Sequence, residues 1–258
     1  YYKIKILNYI QQFKNLYRRV FYLFLKYPKY VYCNICNWSG RRFLDDNWLK
    51  RVSCPNCHSD IRHRLLFYLL INNSMLSNGF NNKKILHFAP ESFFKPYFSN
   101  HSNYVTADLQ MNDVNINIDI SDMKIISDSE FDIIIASDVL EHVYDDIKAV
   151  NELYRILKVG GTAILTVPQK DNLEVTIEDL SGLSPAERKN KLGQEDHYRI
   201  YGNDFFEKLN LENIDVKVFD AESVSKRIRD KYVLFPSVLG EHSMVTNYRK
   251  IYYATKLK

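Results

Sequence analysis

The segment Phe131-Asp-Ile-Ile-Ile-Ala-Ser-Asp-Val-Leu-Glu-His-Val143 decides the fold class of this chain. Its first half contains the continuous apolar run Ile133-Ile-Ile135, and its second half turns polar. A run that is apolar on both faces is typical of a strand in a parallel sheet covered by helices on both sides. The polar residues then follow the carboxyl end of the strand, which is where open α/β sheets bind ligands.

Alternating strand and helix patterns extend to both sides of this segment. Short β-rich runs alternate with helical patterns, and the clearest helix covers about residues 145–157. This alternation predicts a doubly wound α/β domain, preceded by a helix at 60–72. Further strands are predicted at 84–88, 104–107, 114–118, 163–167, 214–219 and 251–255, and a short helix at 204–209.

The amino-acid composition excludes several classes of protein. The chain has 258 residues, of which 46% are hydrophobic and 26% charged, and this excludes a disordered chain, a collagen-like repeat and a disulfide-dense miniprotein. The 35 basic and 31 acidic residues leave a net charge of only +4, which argues against a dedicated nucleic-acid coat.

The basic residues are concentrated at the amino-terminal end. Residues 1–32 contain basic side chains and no acidic one, and apolar residues recur every three or four positions from Ile4 to Lys26. This predicts a basic amphipathic helix in residues 1–30, which either packs on the main domain or docks on a membrane surface or a protein partner. No uncharged run is long enough for a transmembrane segment and no signal peptide is evident, so we expect a cytoplasmic protein, with peripheral membrane attachment as the alternative.

All four cysteines lie in two CxxC pairs, Cys33-Asn-Ile-Cys36 and Cys54-Pro-Asn-Cys57, separated by 17 residues. Two such turns can complete a closed tetrahedral thiolate shell, so the spacing predicts a structural zinc ribbon in residues 31–60. Two disulfides or a redox pair are the alternatives, and a cytosolic context disfavours them. A ribbon this small depends on the metal for its folding free energy.

Acidic residues follow several predicted strands. Asp108 follows the second strand, where one carboxylate suits both hydroxyls of a ribose. Asp119 and the backbone N–H of Ile120 follow the third and suit the amine and ring nitrogen of adenine. Each residue taken singly is also compatible with an ordinary turn or helix cap.

Taken together the motifs resemble a family. The segment 131–143, the block Leu153-Tyr-Arg-Ile-Leu-Lys-Val-Gly-Gly161 and the strand Ala163-Ile-Leu-Thr-Val-Pro168 resemble class I S-adenosylmethionine-dependent methyltransferases of the type 11 kind. The subgroup it looks closest to has a CxxC ribbon, an Arg-His-Arg segment, a His-Phe-Ala-Pro-Glu loop and a block such as Gly193–Gly202. The resemblance implies a Rossmann-like, mostly parallel seven-stranded sheet with an antiparallel last strand, in a domain of residues 61–258.

The resemblance also implies the cofactor site. The usual family loop after the first strand is glycine-rich, whereas this chain has Ala89 and Pro90, so a non-catalytic scaffold that retains the fold remains an alternative. The residues expected at S-adenosylmethionine are Phe88, Ala89, Pro90, Glu91, Asp108, Leu109, Asp119, Ile120, Ser137 and His142. The pair Glu141-His142 has three candidate roles: contact with the methionine part of the cofactor, a divalent-metal site, or a helix cap.

The acceptor side is predicted in residues 169–201, an insertion too long for a plain connection, which we expect to cap the acceptor pocket. A hydroxyl acceptor needs a base, for which His197 with Asp196 is the candidate, against the alternative of a surface histidine near a helix start. From the resemblance, the leading hypothesis is O-methylation of a sugar hydroxyl, with a glycan or sugar-nucleotide as acceptor; RNA methylation is the alternative. Candidate substrate-binding residues are Glu178, Tyr198, Arg199 and Tyr201; the last three are equally compatible with packing under the insertion.

Overall fold

The computed structural model describes residues 30–46, 49–72, 80, 82–98, 100–170, 172–179, 181–235 and 250–258. The predicted basic helix of residues 1–30 lies outside the described residues, apart from Tyr30, which is exposed. Within the described residues, no helix is both long enough and apolar enough to span a membrane.

The described part of the chain begins with the ribbon segment, which is followed by a helix. Strands β1 (Val31–Tyr32) and β2 (Ser39–Gly40) form an antiparallel pair, and helix α1 (Ile61–Asn72) follows the second CxxC pair. Helix α1 buries Leu65, Leu66 and Leu70 against one face of the main sheet.

The main sheet has seven strands in the order β10-β11-β7-β6-β3-β4-β5. Strands β3, β4, β5, β6 and β7 are mutually parallel, and β11 is antiparallel to both of its neighbours. This confirms the predicted fold. The strands are β3 (Ile85–Phe88), β4 (Tyr104–Asp108), β5 (Ile116–Asn117), β6 (Phe131–Ser137), β7 (Leu157–Thr166), β10 (Ile214–Asp220) and β11 (Lys250–Lys256).

The central strand β6 explains why the apolar run at 133–135 is continuous. Ile134 and Ala136 pack into the core on one face of the sheet, and Ile133 and Ile135 pack into the core on the other. Helix α3 (Asp146–Ile156) covers the first face through Ala149, Val150 and Leu153, and α1 covers the second. Helix α2 (Lys95–Phe98) lies between β3 and β4, and α5 (Phe205–Leu209) and α6 (Lys226–Tyr232) flank β10.

Two predicted boundaries differ from the structure. Strand β7 begins at Leu157, directly after helix α3, so Gly160 and Gly161 lie inside the strand instead of in a preceding loop. They form an irregularity in its pairing with β6: Gly160 has φ +77°, and a Cβ on Gly161 would lie 2.9 Å from the carbonyl oxygen of Asp132. The third strand is shorter than predicted.

The insertion after β7 has structure of its own. Strands β8 (Ile177–Glu178) and β9 (Arg199–Ile200) pair antiparallel, and helix α4 (Pro185–Leu192) lies between them. Ser184 and Glu187 form a capping box at the start of α4, and Gly193 ends the helix in a left-handed conformation.

Candidate active site and candidate metal sites

A cavity of about 640 Å³ lies at the carboxyl ends of β3, β4 and β6, the edge where doubly wound sheets bind ligands. Seven residues predicted at the cofactor take part in its wall together with residues of the insertion. The wall is formed by Phe88, Ala89, Asp108, Leu109, Gln110, Ile118, Asp119, Ile120, Ser121, Asp138, Val139, His142, Val143, Tyr144, Arg188, Asp196 and Tyr198.

The two strand-end aspartates both line the cavity and shape their own loops. Asp108 Oδ1 accepts the backbone N–H groups of Gln110 and Met111 at 2.7 and 2.8 Å. Asp119 Oδ1 accepts the N–H and the hydroxyl of Ser121 at 2.7 and 2.8 Å. The turn role and the ligand role therefore do not exclude each other, because holding the loop also fixes the carboxylate at the cavity wall.

The loop after β3 adopts a backbone conformation typical of glycine although it contains no glycine. Ala89 has φ +46°, the left-handed region that favours glycine, and its N–H donates to the carbonyl of Ala107 at 2.9 Å. The backbone therefore turns at Ala89 through a conformation that usually requires glycine.

Three of the predicted cofactor residues do not line the cavity. Pro90 and Glu91 lie behind the loop, and Glu91 contacts His87 Nε2 at 3.3 Å and His63 Nε2 at 3.5 Å. Ser137 is buried and accepts a hydrogen bond from Thr166 Oγ1 at 3.0 Å. The contacts of Glu91 and Ser137 support the loops that carry the cavity wall.

Asp138 is a cavity residue that sequence reasoning did not single out. It has φ +51°, its Oδ1 accepts from Thr166 Oγ1 at 2.8 Å, and Arg62 of helix α1 forms an ion pair with its Oδ2. The available signal was a polar residue directly after the most apolar strand. No sequence pattern indicates Arg188 as a cavity residue, because only the fold of the insertion brings helix α4 to this edge of the sheet.

The insertion contributes Arg188, Asp196 and Tyr198 to the wall of the cavity. The guanidinium of Arg188 lies 4.2 Å from the centre of the Tyr198 ring, and the ring of Tyr198 meets that of Tyr144 edge to face at 5.5 Å. Asp196 is 68% exposed and points into the same space.

The other three predicted substrate residues lie at the base of the insertion and not on the cavity. Arg199 is fully buried; it donates to Glu178 at 2.5 Å, to the carbonyl of Leu140 at 3.0 Å and to that of Tyr144 at 2.8 Å. Tyr201 is also fully buried and donates to Asp146 at 2.9 Å. Arg199 and Tyr201 therefore anchor the insertion on the turn after β6, whereas Glu178 is exposed and contacts Arg199 from the surface.

His197 is buried beside His142. Its Nδ1 lies 2.9 Å from the carbonyl oxygen of Leu192, and its ring meets that of His142 edge to face at 4.7 Å. Burial, followed by the neighbouring His142, lowers the pKa of His197. His142 reaches the cavity and contacts Asp196 Oδ2 through Nδ1 at 3.0 Å, so the predicted base lies behind an imidazole that faces the cavity.

The four cysteines converge, as their spacing predicts. Their sulfur atoms all lie within 4.8 Å of one another; the Cys33–Cys57 and Cys36–Cys54 pairs are 3.6 and 3.7 Å apart. A disulfide requires about 2.05 Å, whereas thiolates about 2.3 Å from one tetrahedral ion lie ~3.8 Å apart. The geometry therefore matches four ligands of one ion, and the Ser59 hydroxyl lies 3.2 Å from the Cys57 sulfur as a supporting contact.

The sheet order, the antiparallel strand β11 and the acidic cavity at the carboxyl edge define a doubly wound domain that binds a small ligand at its switch point. Residues 97–165 match the family model described as a methyltransferase domain. The match runs from helix α2 into β7 and agrees with the resemblance to a methyltransferase domain over these residues. No curated protein matches the sequence.

Several solved structures are similar to the chain. A S-adenosylmethionine-dependent methyltransferase from Archaeoglobus fulgidus is 12% identical, with 76% of this chain and 92% of that chain covered and a TM-score of 0.44. The YcgJ protein from Bacillus subtilis is 15% identical, with 76% and 99% covered and a TM-score of 0.49. A methyltransferase from Mesorhizobium loti is 11% identical, with 67% and 90% covered and a TM-score of 0.45. These values are too low to carry any conclusion about the acceptor.

Proposed function

We propose that this protein transfers the methyl group of S-adenosylmethionine to a hydroxyl group of a sugar, in a glycan or a sugar-nucleotide precursor. The observation that carries the proposal is the single cavity whose wall combines the strand-end aspartates with the insertion. One space of about 640 Å³ thus offers a nucleoside subsite next to an acceptor subsite.

The residues of the cavity suit the methyl donor. We assign Asp108 to the ribose hydroxyls, Asp119 and the N–H of Ile120 to adenine, and the Phe88–Ala89 turn to the methionine end, since all of them line the cavity. The wall holds four aspartates against one arginine, and an acidic wall attracts a cationic ligand. When bound, S-adenosylmethionine supplies a methyl group activated by its positive sulfur.

The protein's own contribution is orientation and proton removal. Holding an acceptor oxygen in line with the methyl carbon and sulfur contributes roughly 7 to 11 kcal/mol to lowering the barrier. On the acceptor side, the rings of Tyr144 and Tyr198 offer stacking surfaces for a sugar ring. Asp196 lies at the same wall, with its Oδ2 3.0 Å from His142 Nδ1, and we assign its carboxylate to accept the hydroxyl proton.

The charge of the cavity favours a neutral acceptor over RNA. Asp108, Asp119, Asp138 and Asp196 would repel a phosphate backbone, and only Arg188 in the wall would attract one. A neutral glycan meets no such repulsion, and a sugar-nucleotide carries one diphosphate in place of a whole phosphate backbone. The cavity residues that suit the methyl donor also argue against a non-catalytic scaffold.

We also propose that the four cysteines hold one structural Zn²⁺. Four thiolates close the coordination shell, so the ion would have no open position for a substrate. Its role would be to fold the segment that positions helix α1.

The function is tested with labelled methyl donor. Purified protein with its metals in place is incubated with S-adenosylmethionine carrying a labelled methyl group and with separate glycan, sugar-nucleotide and RNA fractions. We expect label in a glycan or sugar-nucleotide fraction. Label confined to RNA would overturn the acceptor class, and no label with no heat of S-adenosylmethionine binding would overturn the enzyme.

Asp108→Asn tests the nucleoside subsite. The substitution keeps the shape of the side chain but removes its charge, and a hydrogen bond to a charged group contributes about 1.5–3 kcal/mol. We therefore expect the dissociation constant for S-adenosylmethionine, measured by calorimetry, to rise about 10- to 100-fold. Asp113→Asn is the matched control, since the Asp113 side chain is 89% exposed in the same loop and lies outside the cavity wall. Equal affinities in both variants would contradict the assignment.

A further inference from the structure

A second group of metal-ligand side chains lies beside the cavity, apart from the cysteines. One carboxylate oxygen of Glu141 and one ring nitrogen each of His142 and His197 lie within 4.8 Å of one another. Glu141 and His142 belong to the short 3-10 helix Leu140–His142 after β6, and His197 comes from the insertion. Ligands 2.0–2.2 Å from a common ion are separated by ~3–4 Å, so the three atoms are close to a coordinating arrangement.

The hydrogen bonds of both histidines leave Nε2 available as a ligand. His197 Nδ1 lies 2.9 Å from a carbonyl oxygen, which only accepts, so Nδ1 carries the proton and Nε2 has a lone pair. His142 Nδ1 lies 3.0 Å from the Asp196 carboxylate by the same logic, and its Nε2 lies 3.8 Å from Glu141 Oε1. A histidine whose second nitrogen donates to a carboxylate or carbonyl is the usual arrangement around a bound metal.

Two buried atoms of the group have no hydrogen-bond partner. Glu141 is 1% exposed and His197 is 3% exposed, and neither Glu141 Oε2 nor His197 Nε2 has a partner among the described residues. Burying a carboxylate without a partner is costly, and buried charges in proteins are paired or coordinate metals. A cation among the three side chains would satisfy both orphaned atoms at once.

We propose that Glu141, His142 and His197 bind a divalent first-row transition-metal ion that coordinates the acceptor hydroxyl. Two imidazole nitrogens favour such an ion over Mg²⁺ or Ca²⁺, which prefer oxygen ligands. Three protein ligands leave positions open, unlike the closed cysteine shell. His142 is the ligand that reaches the cavity wall, so the open side of the ion faces the acceptor.

The ion completes the chemistry of the proposed methyl transfer, on which this inference rests. As a Lewis acid it makes a coordinated hydroxyl more acidic. The acceptor oxygen then bonds to the methyl carbon, and the carbon–sulfur bond breaks with its electron pair remaining on sulfur. The hydroxyl proton passes to the exposed carboxylate of Asp196 and from there to water.

Metal binding is tested without turnover. Protein with a zinc-loaded ribbon is titrated with Mn²⁺, and bound ion is counted by electron paramagnetic resonance; Co²⁺ absorption gives an independent measure. We expect one saturable site, with a dissociation constant raised at least 10-fold by Glu141→Gln and by His197→Gln. Asp196→Asn, which alters the partner of a ligand, is expected to weaken binding by about 10- to 100-fold as well.

The matched control is His101→Gln. His101 precedes β4, at the amino-terminal edge of the sheet and opposite the site, so its substitution should leave Mn²⁺ and Co²⁺ binding unchanged. Far-ultraviolet circular dichroism shows whether each variant is folded, and an unfolded variant is replaced by His142→Gln. The absence of any saturable site for both ions, or equal binding in wild type and all ligand variants, would overturn the proposal. Retained S-adenosylmethionine binding in that case would leave the proposed function standing.

Discussion

Ala89 adopts a left-handed backbone conformation at a loop position where glycine is usual. The sequence has no glycine between residues 80 and 159, and the loop after β3 nevertheless turns through a left-handed conformation at this position. The left-handed region costs a non-glycine residue roughly 1–2 kcal/mol. The cavity wall is therefore built with local backbone strain, which the surrounding sheet supports.

Ala89→Gly is expected to relieve that strain. The gain offsets the greater freedom of glycine in the unfolded chain, so the free energy of unfolding should stay the same or rise by up to about 1 kcal/mol. Ala107→Gly is the matched control: Ala107 is fully buried in β4, and the same change there should lower stability by about 1–2 kcal/mol. Chemical denaturation measures both. An equal loss in the two variants would show that Ala89 is not strained.

Helix α1 connects the cysteine ribbon to the cavity through three consecutive side chains. Arg62 pairs with Asp138 in the cavity wall, and His63 contacts Glu91 behind the first loop. Arg64 is fully buried and donates to the carbonyls of Ser59 and Val52 in the ribbon and of Tyr232 at the end of α6. The first turn of one helix therefore has contacts with the ribbon, the sheet and the cavity.

Removal of zinc is expected to unfold the ribbon before the sheet. The ribbon has a small apolar core around Cys33, Phe43 and Cys54, which is insufficient without the ion. Hydrogen exchange after treatment with a chelator should first rise in residues 31–60, while β3 and β6 stay protected. Release of one zinc per chain, detected with a colorimetric chelator, provides the stoichiometry. Simultaneous loss of protection in ribbon and sheet would contradict this order.

The stability of the whole molecule should depend on pH through Glu91. Burial alone would raise its pKa, but the contact with His87 and the charges of His63 and Arg62 lower the pKa of Glu91 below its usual value. Because the folded pKa is the lower one, the stabilisation is complete above the unfolded value of about 4.3 and is lost as pH falls through the folded pKa.

Glu91→Gln tests this dependence. The stability difference between wild type and variant, from urea unfolding at matched pH, should be largest near neutral pH and shrink as the pH falls below about 4. Comparison at equal pH cancels the acid-induced loss of zinc that both proteins share. Glu174→Gln, at an exposed position, is the control and should show no pH-dependent difference. A difference between wild type and Glu91→Gln that does not change with pH would contradict the prediction.

The sequence by itself determined the features that depend on local pattern. Buried strands read as continuous apolar runs, CxxC pairs bring thiols together through their own turns, and an aspartate after a parallel strand lies at the edge that binds ligands. The fold, the cysteine cluster and the placement of Asp108 and Asp119 at the cavity followed from these rules.

Only the tertiary structure decided which polar residues of the insertion face the cavity. Arg199 and Tyr201 look like substrate contacts in sequence, yet both are buried, whereas Arg188 and Asp196 of the insertion reach the wall. The grouping of Glu141 and His142 with His197 has the same origin, since these residues lie far apart along the chain and meet only where the insertion packs on the turn after β6. Residue type and spacing specify local geometry, but the side chains that lose their water are set by long-range packing.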